Sequence, residues 1–203
     1  ERALVELEAE RLTAGVEIEL VAGPDHYLLG EETGLLQVIE GEDPLPRWAP
    51  PYLHGLFASG PQAGWSSTPR PDVGPGAGAN PTLVNNVETM ASVPHILAHG
   101  PEWYRSMGTE ESPGPIVATV VGDVVSPTVV EVEMGTPLRE LIEVHAGGVA
   151  EGRQVKAVLS GFANPVLGAE ALDTPVTYED LRDAGGGLGS AGFIVYDDRT
   201  NMV

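Results

Sequence analysis

The run from Pro44 to Pro81, "PLPRWAPPYLHGLFASGPQAGWSSTPRPDVGPGAGANP", constrains this chain more than any other feature. Proline fixes φ and removes a backbone donor, and glycine weakens regular elements, so neither a helix nor a central strand can run through it. It is also far longer than the usual connection of about 4 to 6 residues. A loop of this kind is functional or partly disordered, and the regular elements must be sought on either side.

Before the loop, "ERALVELEAERLTAG" has Val5, Ala9 and Leu12 on one face of an amphipathic helix. "VEIELVAG" alternates Val16, Ile18 and Leu20 against Glu17 and Glu19, the period of a strand with one wet face. A helix follows over "HYLLGEETGLLQVIEG". After the loop, "NNVETMASVPHILAHG" resumes a helical pattern, with Asn85 as N-cap, Glu88 three residues on in a capping-box arrangement, and Pro94 placed to kink or end it.

From Pro115 the texture changes. "PIVATVVGDVVSPTVVEVEMG" predicts a hairpin of β-branched strands, and "TPLRELIEVHAGG" a helix with Thr136 at N-cap, Pro137 at N1 and Gly147 near the stop. "RQVKAVLSG" is a further strand. The order strand, strand, helix, strand is that of a small β-grasp-like unit. "TYEDLRDAGGG" predicts another capped helix and "AGFIVYDD" a closing strand. The expected division is a first domain at 1–112, a β-grasp domain at 113–170, and a helix and strand at 171–203 that return to the first domain.

Composition narrows the partners. Asp+Glu 30 against Lys+Arg 10 gives a formal net charge of −20, which repels phosphate backbones and anionic lipid heads, so nucleic acid and direct membrane insertion are disfavoured. No apolar run reaches the roughly 18 residues of a membrane span, and the first residues lack the order of a signal peptide, so a cytoplasmic protein is expected. With Cys 0, the chain supplies no thiolate nucleophile, disulfide, cysteine-ligated zinc or iron–sulfur ligand.

Two adjacent glutamates stand in an otherwise apolar run. Read as a helix, Leu28, Glu32, Leu35 and Ile39 follow the i, i+4, i+7, i+11 spacing of one face, so Glu32 is expected inside the apolar stripe, while Glu31 faces the helix mouth beside Gly30. A buried carboxylate costs several kcal/mol unless partnered. The bland alternative is that acids near a helix N-terminus are ordinary dipole partners, worth about 0.3–1 kcal/mol.

Taken together, "YLLGEETGLL" from Tyr27, "EG" at Glu40 and Gly41, "PR" at Pro46 and Arg47, "PPY" ending at Tyr52, "PTLVNNVET" from Pro81 and "LDTP…GLGSAGFIVYDD" resemble the NADH-binding flavoprotein subunit of respiratory complex I and the related diaphorase subunits of NAD-linked hydrogenases and formate dehydrogenases. That resemblance implies an α/β chain: part of a Rossmann-like domain for FMN and NADH, followed by a β-grasp (soluble-ligand-binding) domain. It implies FMN and NADH as cofactors, and electrons passing from NADH through FMN to an iron–sulfur chain in partner subunits or segments. The family's [4Fe–4S] cysteines fall beyond Val203, and its glycine-rich FMN phosphate loop precedes this region, so a fragment of a longer flavoprotein is expected. Matching positions assign cofactor binding to Tyr27, Gly30, Glu31, Glu32, Val84, Asn85 and Asn86, and an adenine-stacking role to Tyr52. No catalytic side chain and no metal ligand is implied in this chain. Ala49 stands where the family has a basic residue, and an insertion lies between Tyr52 and Pro81. Both features favour a second reading, a non-catalytic binding or scaffold module of the same family that has lost its cofactor.

Other motifs have plainer explanations. His95 and His99 have i, i+4 spacing but lack an obvious third ligand, and are expected on the surface. "GGGLGSAG" comes after a helix and before a strand, the reverse of a phosphate loop, and reads as a turn. Tyr52 could simply pack against Pro50 and Pro51.

Overall fold

The computed structural model describes residues 2–58, 80–161 and 163–202, so most of the proline- and glycine-rich loop lies outside the described residues. The chain divides into two compact units, residues 1–86 and 87–203. The division falls at the start of the helix after the loop, earlier than the expected boundary at 112.

In the first unit, helix α1 spans Arg2–Ala9 and buries no residue. Val16, Ile18 and Leu20 form no strand and are exposed. The alternation is present, but a strand also needs a neighbour to take its backbone hydrogen bonds, and the described residues of this unit offer none. The expected Rossmann-like sheet is therefore not formed by these residues. A 3-10 turn at Tyr27–Gly30 leads into helix α2, Glu32–Ile39. α2 closes through Gly41, whose φ of +87° places it in the left-handed region, with Gly41 N–H on Val38 O (3.0 Å) and Glu42 N–H on Gln37 O (2.9 Å). That pair of bonds is a Schellman stop, a geometry glycine adopts without Cβ strain.

In the second unit, helix α3 spans Val87–His99 and continues through Pro94, so it does not end there. α4, Pro101–Arg105, follows Gly100 with proline at its first position. A five-stranded sheet is then built from β1 (Pro115–Gly122), β2 (Thr128–Glu133), β3 (Val155–Ser160), β4 (Val166–Gly168) and β5 (Gly192–Asp197), in the order β2-β1-β5-β3-β4. β1 and β2 form the predicted hairpin, with Ala118 opposite Val130. β5 runs parallel to β1 and antiparallel to β3, so it is the central strand of the β-grasp sheet. This corrects the expectation that the last helix and strand leave for the first domain. The physical reason is burial: Phe193 and Val195 are fully buried in this sheet's core.

The helix over the sheet starts at Leu138, as α5 (Leu138–Glu140), and continues as a π-turn, Leu141–His145. Thr136 does not cap it; its hydroxyl donates to Glu133 O, and Pro137 is extended. The backbone of 172–174 takes the helix's first free donors instead, with Leu138 N–H on Thr174 O (3.0 Å) and Arg139 N–H on Leu172 O (2.6 Å). Helix α6, Tyr178–Asp183, is capped as predicted, Thr177 Oγ1 accepting the Asp180 N–H at 2.9 Å. "GGGLGSAG" is a turn between α6 and β5, tied down by Ser160 Oγ and Asn164 Nδ2, both donating to Gly187 O.

The core lies between the helices and one sheet face. It comprises Leu138, Leu141, Ile142, Val120, Val158, Val176, Leu181, Phe193 and Val195, all at 0 % exposure, with further apolar side chains around them. Each such aliphatic or aromatic side chain contributes about 1.5–3 kcal/mol. Among the described residues no helix is long and apolar enough to cross a membrane.

Candidate functional site

The residues assigned by resemblance all lie in the first unit, where α2 and the loop after it form a small tied body. Tyr27 opens the 3-10 turn, and its side chain lies outside the described residues. Glu31 is extended (φ −83°, ψ 130°) and separates that turn from α2. Leu28 and Glu32 are thus not on one continuous helix, and the phase argument that buried Glu32 fails. Glu32 is exposed at the first turn of α2. It is Glu31 that is half-buried, as the N-cap: its Oε2 accepts Gly34 N–H at 2.7 Å and the Thr33 hydroxyl at 2.6 Å. Burial alone would raise the Glu31 carboxyl, but the Thr33 hydroxyl together with the Gly34 and Thr33 N–H groups outweighs it and lowers the carboxyl from its ordinary value. Glu31 thus sits at the helix mouth as expected, while Glu32 faces solvent and not the core.

The loop after α2 folds back along it. Arg47 N–H donates to Thr33 Oγ1 at 2.8 Å, near the start of α2, while the Arg47 side chain reaches Gln37, Gly55 O (3.2 Å) and Glu40 near its end. The guanidinium is 2 % exposed. Glu40 in turn accepts Phe57 N–H at 2.6 Å, and the Arg47 hydrogen bond, ahead of the opposing effect of burial, lowers its carboxyl. His54, in the same loop, is pushed below its ordinary value first by burial and then by the positive Arg47. The "EG" and "PR" motifs are therefore a helix stop and a loop clamp. The residue reading missed this clamp, although an acid and an arginine flanking a short turn were a usable signal.

The clamp extends to the segment after the loop. Thr82 N–H donates to Pro51 O (3.0 Å), Thr82 Oγ1 accepts Leu56 N–H (2.8 Å), and Asn80 Nδ2 donates to Leu56 O. Gly55 is required by this approach, because a Cβ there would stand 1.8 Å from Asn80 O. These bonds tie the backbone next to Tyr52 to Asn80 and Thr82, at the start of the strip that leads through Val84 to Asn85 and Asn86. Tyr52 is 64 % exposed, Val84 is half-buried, and Asn85 and Asn86 are exposed. Asn85 Oδ1 accepts Asn86 N–H at 2.9 Å. α3 starts at Val87, so Glu88 falls one position early for the predicted capping box, and its Oε1 accepts Val117 N–H at 2.7 Å.

These groups fit the neutral parts of a flavin and a nicotinamide nucleotide. The turn before α2 is uncovered: a Cβ at Gly30 would meet no atom within 4 Å, leaving the backbone open to a flat ring. Carboxylates at Glu31 and Glu32 can accept from ribose hydroxyls or a carboxamide, and Asn85 and Asn86 can both donate and accept. Their donor set does not fit phosphate, since the nearby cation, Arg47, is already buried against Glu40. Among the described residues no group of three or more His, Cys, Asp or Glu side chains could hold a metal.

Comparison with known proteins finds similarity along most of the chain. Residues 117–166 match the SLBB domain family, covering β1 through the start of β4. The chain is 40 % identical over 189 residues to NADH-quinone oxidoreductase F subunit 2 of Rhizobium meliloti (strain 1021), a match that covers 92 % of this chain and 40 % of that protein. It is 37 % identical over 197 residues to the NADH-quinone oxidoreductase F subunit of Streptomyces coelicolor, covering 95 % of this chain and 39 % of that one. A solved NAD+-reducing [NiFe]-hydrogenase in the H2-reduced state superposes with a TM-score of 0.70 at 29 % identity, over 98 % of this chain and 32 % of the hydrogenase chain. The chain therefore spans about two fifths of the length of the oxidoreductase subunits it matches. Sequence and fold together place it among the homologues of NADH-quinone oxidoreductase F subunits.

Proposed function

We propose that this chain forms part of the flavin- and NADH-binding region, together with the β-grasp domain, of an NADH dehydrogenase flavoprotein subunit. The observation that carries the reading is the 40 % identity to an F subunit of NADH-quinone oxidoreductase along 92 % of the chain. The buried-acid argument does not carry it, because Glu32 is exposed. Bound FMN supplies hydride acceptance from NADH and onward transfer of electrons to an iron–sulfur chain outside these residues.

The chain's own residues would position the two ring systems. Gly30 leaves the turn open for ring approach, Glu31 fixes the start of α2, and Glu32 presents an acceptor to nucleotide hydroxyl or amide groups. Val84 and the Asn85 and Asn86 amides would bracket the flavin, Tyr27 would contribute from the turn before α2, and Tyr52 would stack on the adenine. The Arg47–Glu40 clamp would hold Tyr52 and the 80–86 strip in register without touching ligand. Partners would be the iron–sulfur subunits that receive the electrons.

The test uses the complete gene product, purified without added flavin. Bound FMN whose absorbance near 450 nm bleaches with NADH is the expected result. A colourless preparation that binds no FMN and does not oxidise NADH overturns the proposal. Within an active preparation, Glu32→Gln is expected to raise KM for NADH more than it lowers kcat, the pattern of a lost binding contact.

A further inference from the structure

In the second unit, His95 and His99 lie one helical turn apart on the exposed side of α3, with their rings nearly parallel (15°) and centroids 6.4 Å apart. Trp103 of α4 flanks both, 5.0 Å from the His99 ring and 6.0 Å from that of His95. His99 Nδ1 is 3.0 Å from His95 O. A carbonyl oxygen only accepts, so Nδ1 carries the proton and the lone pair resides on Nε2. Fixing a histidine tautomer through a backbone carbonyl is the arrangement that orients metal-ligating imidazoles.

We infer that His95 and His99 form an open two-imidazole chelate for a late first-row divalent ion, with Cu2+ the tightest, followed by Ni2+ and Zn2+. The spacing places both imidazoles on one helix face. Imidazole nitrogen selects these ions over Mg2+ and Ca2+, which demand oxygen ligands, and the order of affinity follows the general series for divalent ions. Water completes the coordination, because the described residues supply no third ligand. The net charge of −20 raises the local cation concentration without selecting among ions. This inference is independent of the flavoprotein reading.

Titration of the full chain with Cu2+ in a non-coordinating buffer tests it, read by tryptophan emission and by electron paramagnetic resonance. Expected are saturable binding of one ion, a signal with nitrogen hyperfine structure, and quenching of Trp103. His95→Asn and His99→Asn are each expected to abolish saturable binding, because one imidazole of the two-ligand chelate is lost, with an unchanged circular dichroism spectrum because both rings are exposed. Trp103→Phe should remove the quench and keep the paramagnetic signal. Mg2+ should produce neither. Non-saturable uptake, or the same Cu2+ affinity in both histidine variants as in the parent chain, overturns the inference.

Discussion

The two units are built on opposite terms. Residues 87–203 bury a contiguous apolar cluster against a sheet whose central strand is supplied from the far end of the chain. In residues 2–58 and 80–86, Leu36 and Ala49 are the buried hydrophobic residues, and the order comes from polar ties around Arg47. The contrast teaches that hydrophobic pattern alone does not decide structure. "VEIEL" has as regular an alternation as the strands of the second unit, yet it stays exposed, because among the described residues no strand stands beside it. The second unit is held by area removed from water, and the first by directional bonds that fail when one partner is lost.

The largest expected effect is at Phe193. Phe193→Ala opens a cavity under β5 and should cost about 3–5 kcal/mol. Urea unfolding followed by hydrogen exchange should show the loss across β1, β3 and β5 while amides of α2 are unchanged. Equal loss in α2 would erase the distinction between the units.

Arg47→Ala should cost about 3 kcal/mol in the first unit, because it leaves the Glu40 carboxylate without its buried partner. Faster exchange at Phe57 and Leu56 amides and faster proteolysis within the loop are the readout. The paired replacement Arg47→Met with Glu40→Leu should recover part of that loss, since it removes both charges together.

Acid separates the units next. His54 is held below its ordinary value, so the unfolded chain takes up that proton first, and stability is lost as pH falls below about 6.5. Glu40 is also lowered, so its contribution is full above the ordinary glutamate value and is lost only as pH falls below about 4.5. Exchange protection in the first unit should therefore begin to fall near pH 6.5, and His54→Gln should abolish that early phase. In the second unit the lowered groups include Glu179, held chiefly by the Ser112 hydroxyl, and Asp197, held chiefly by the Arg199 N–H; the stability both contribute is full above the ordinary carboxylate values and is lost only as pH falls below them. A first unit that holds until pH 4.5 would remove His54 from the account.

The smallest effects are the two N-caps. Thr177→Ala, at a fully buried position, and Glu31→Ala, at a half-buried one, should each cost on the order of 1 kcal/mol, with the larger value at Thr177. Thermal melts of the single variants would rank them.

Much of the second unit was legible from residue order. The β-branched runs, the turn between them, Thr177 before α6 and the glycine turn before β5 are local signals that depend on neighbours a few residues away. The position of β5 was not legible, because Phe193 and Val195 could as well have packed on another sheet; their destination is set by contacts with β1 and β3 across long stretches of chain. At the candidate site, the identity of the residues could be read from family resemblance, while their exposure could not. A single extended residue, Glu31, resets the helical phase, so Glu32 faces solvent instead of entering the apolar stripe.

By itself, then, the sequence determined the charge balance, the absence of thiol chemistry, the breaks at the proline- and glycine-rich loop and the type of most local elements, because each depends on composition or on short-range backbone preference. Tertiary structure alone decided that β5 lies between β1 and β3, that Arg47 is a buried clamp, and that Glu32 faces solvent. Strand pairing, ion-pair burial and helix phase are settled by which distant groups arrive to satisfy a backbone or a charge, and periodicity carries no information about that arrival.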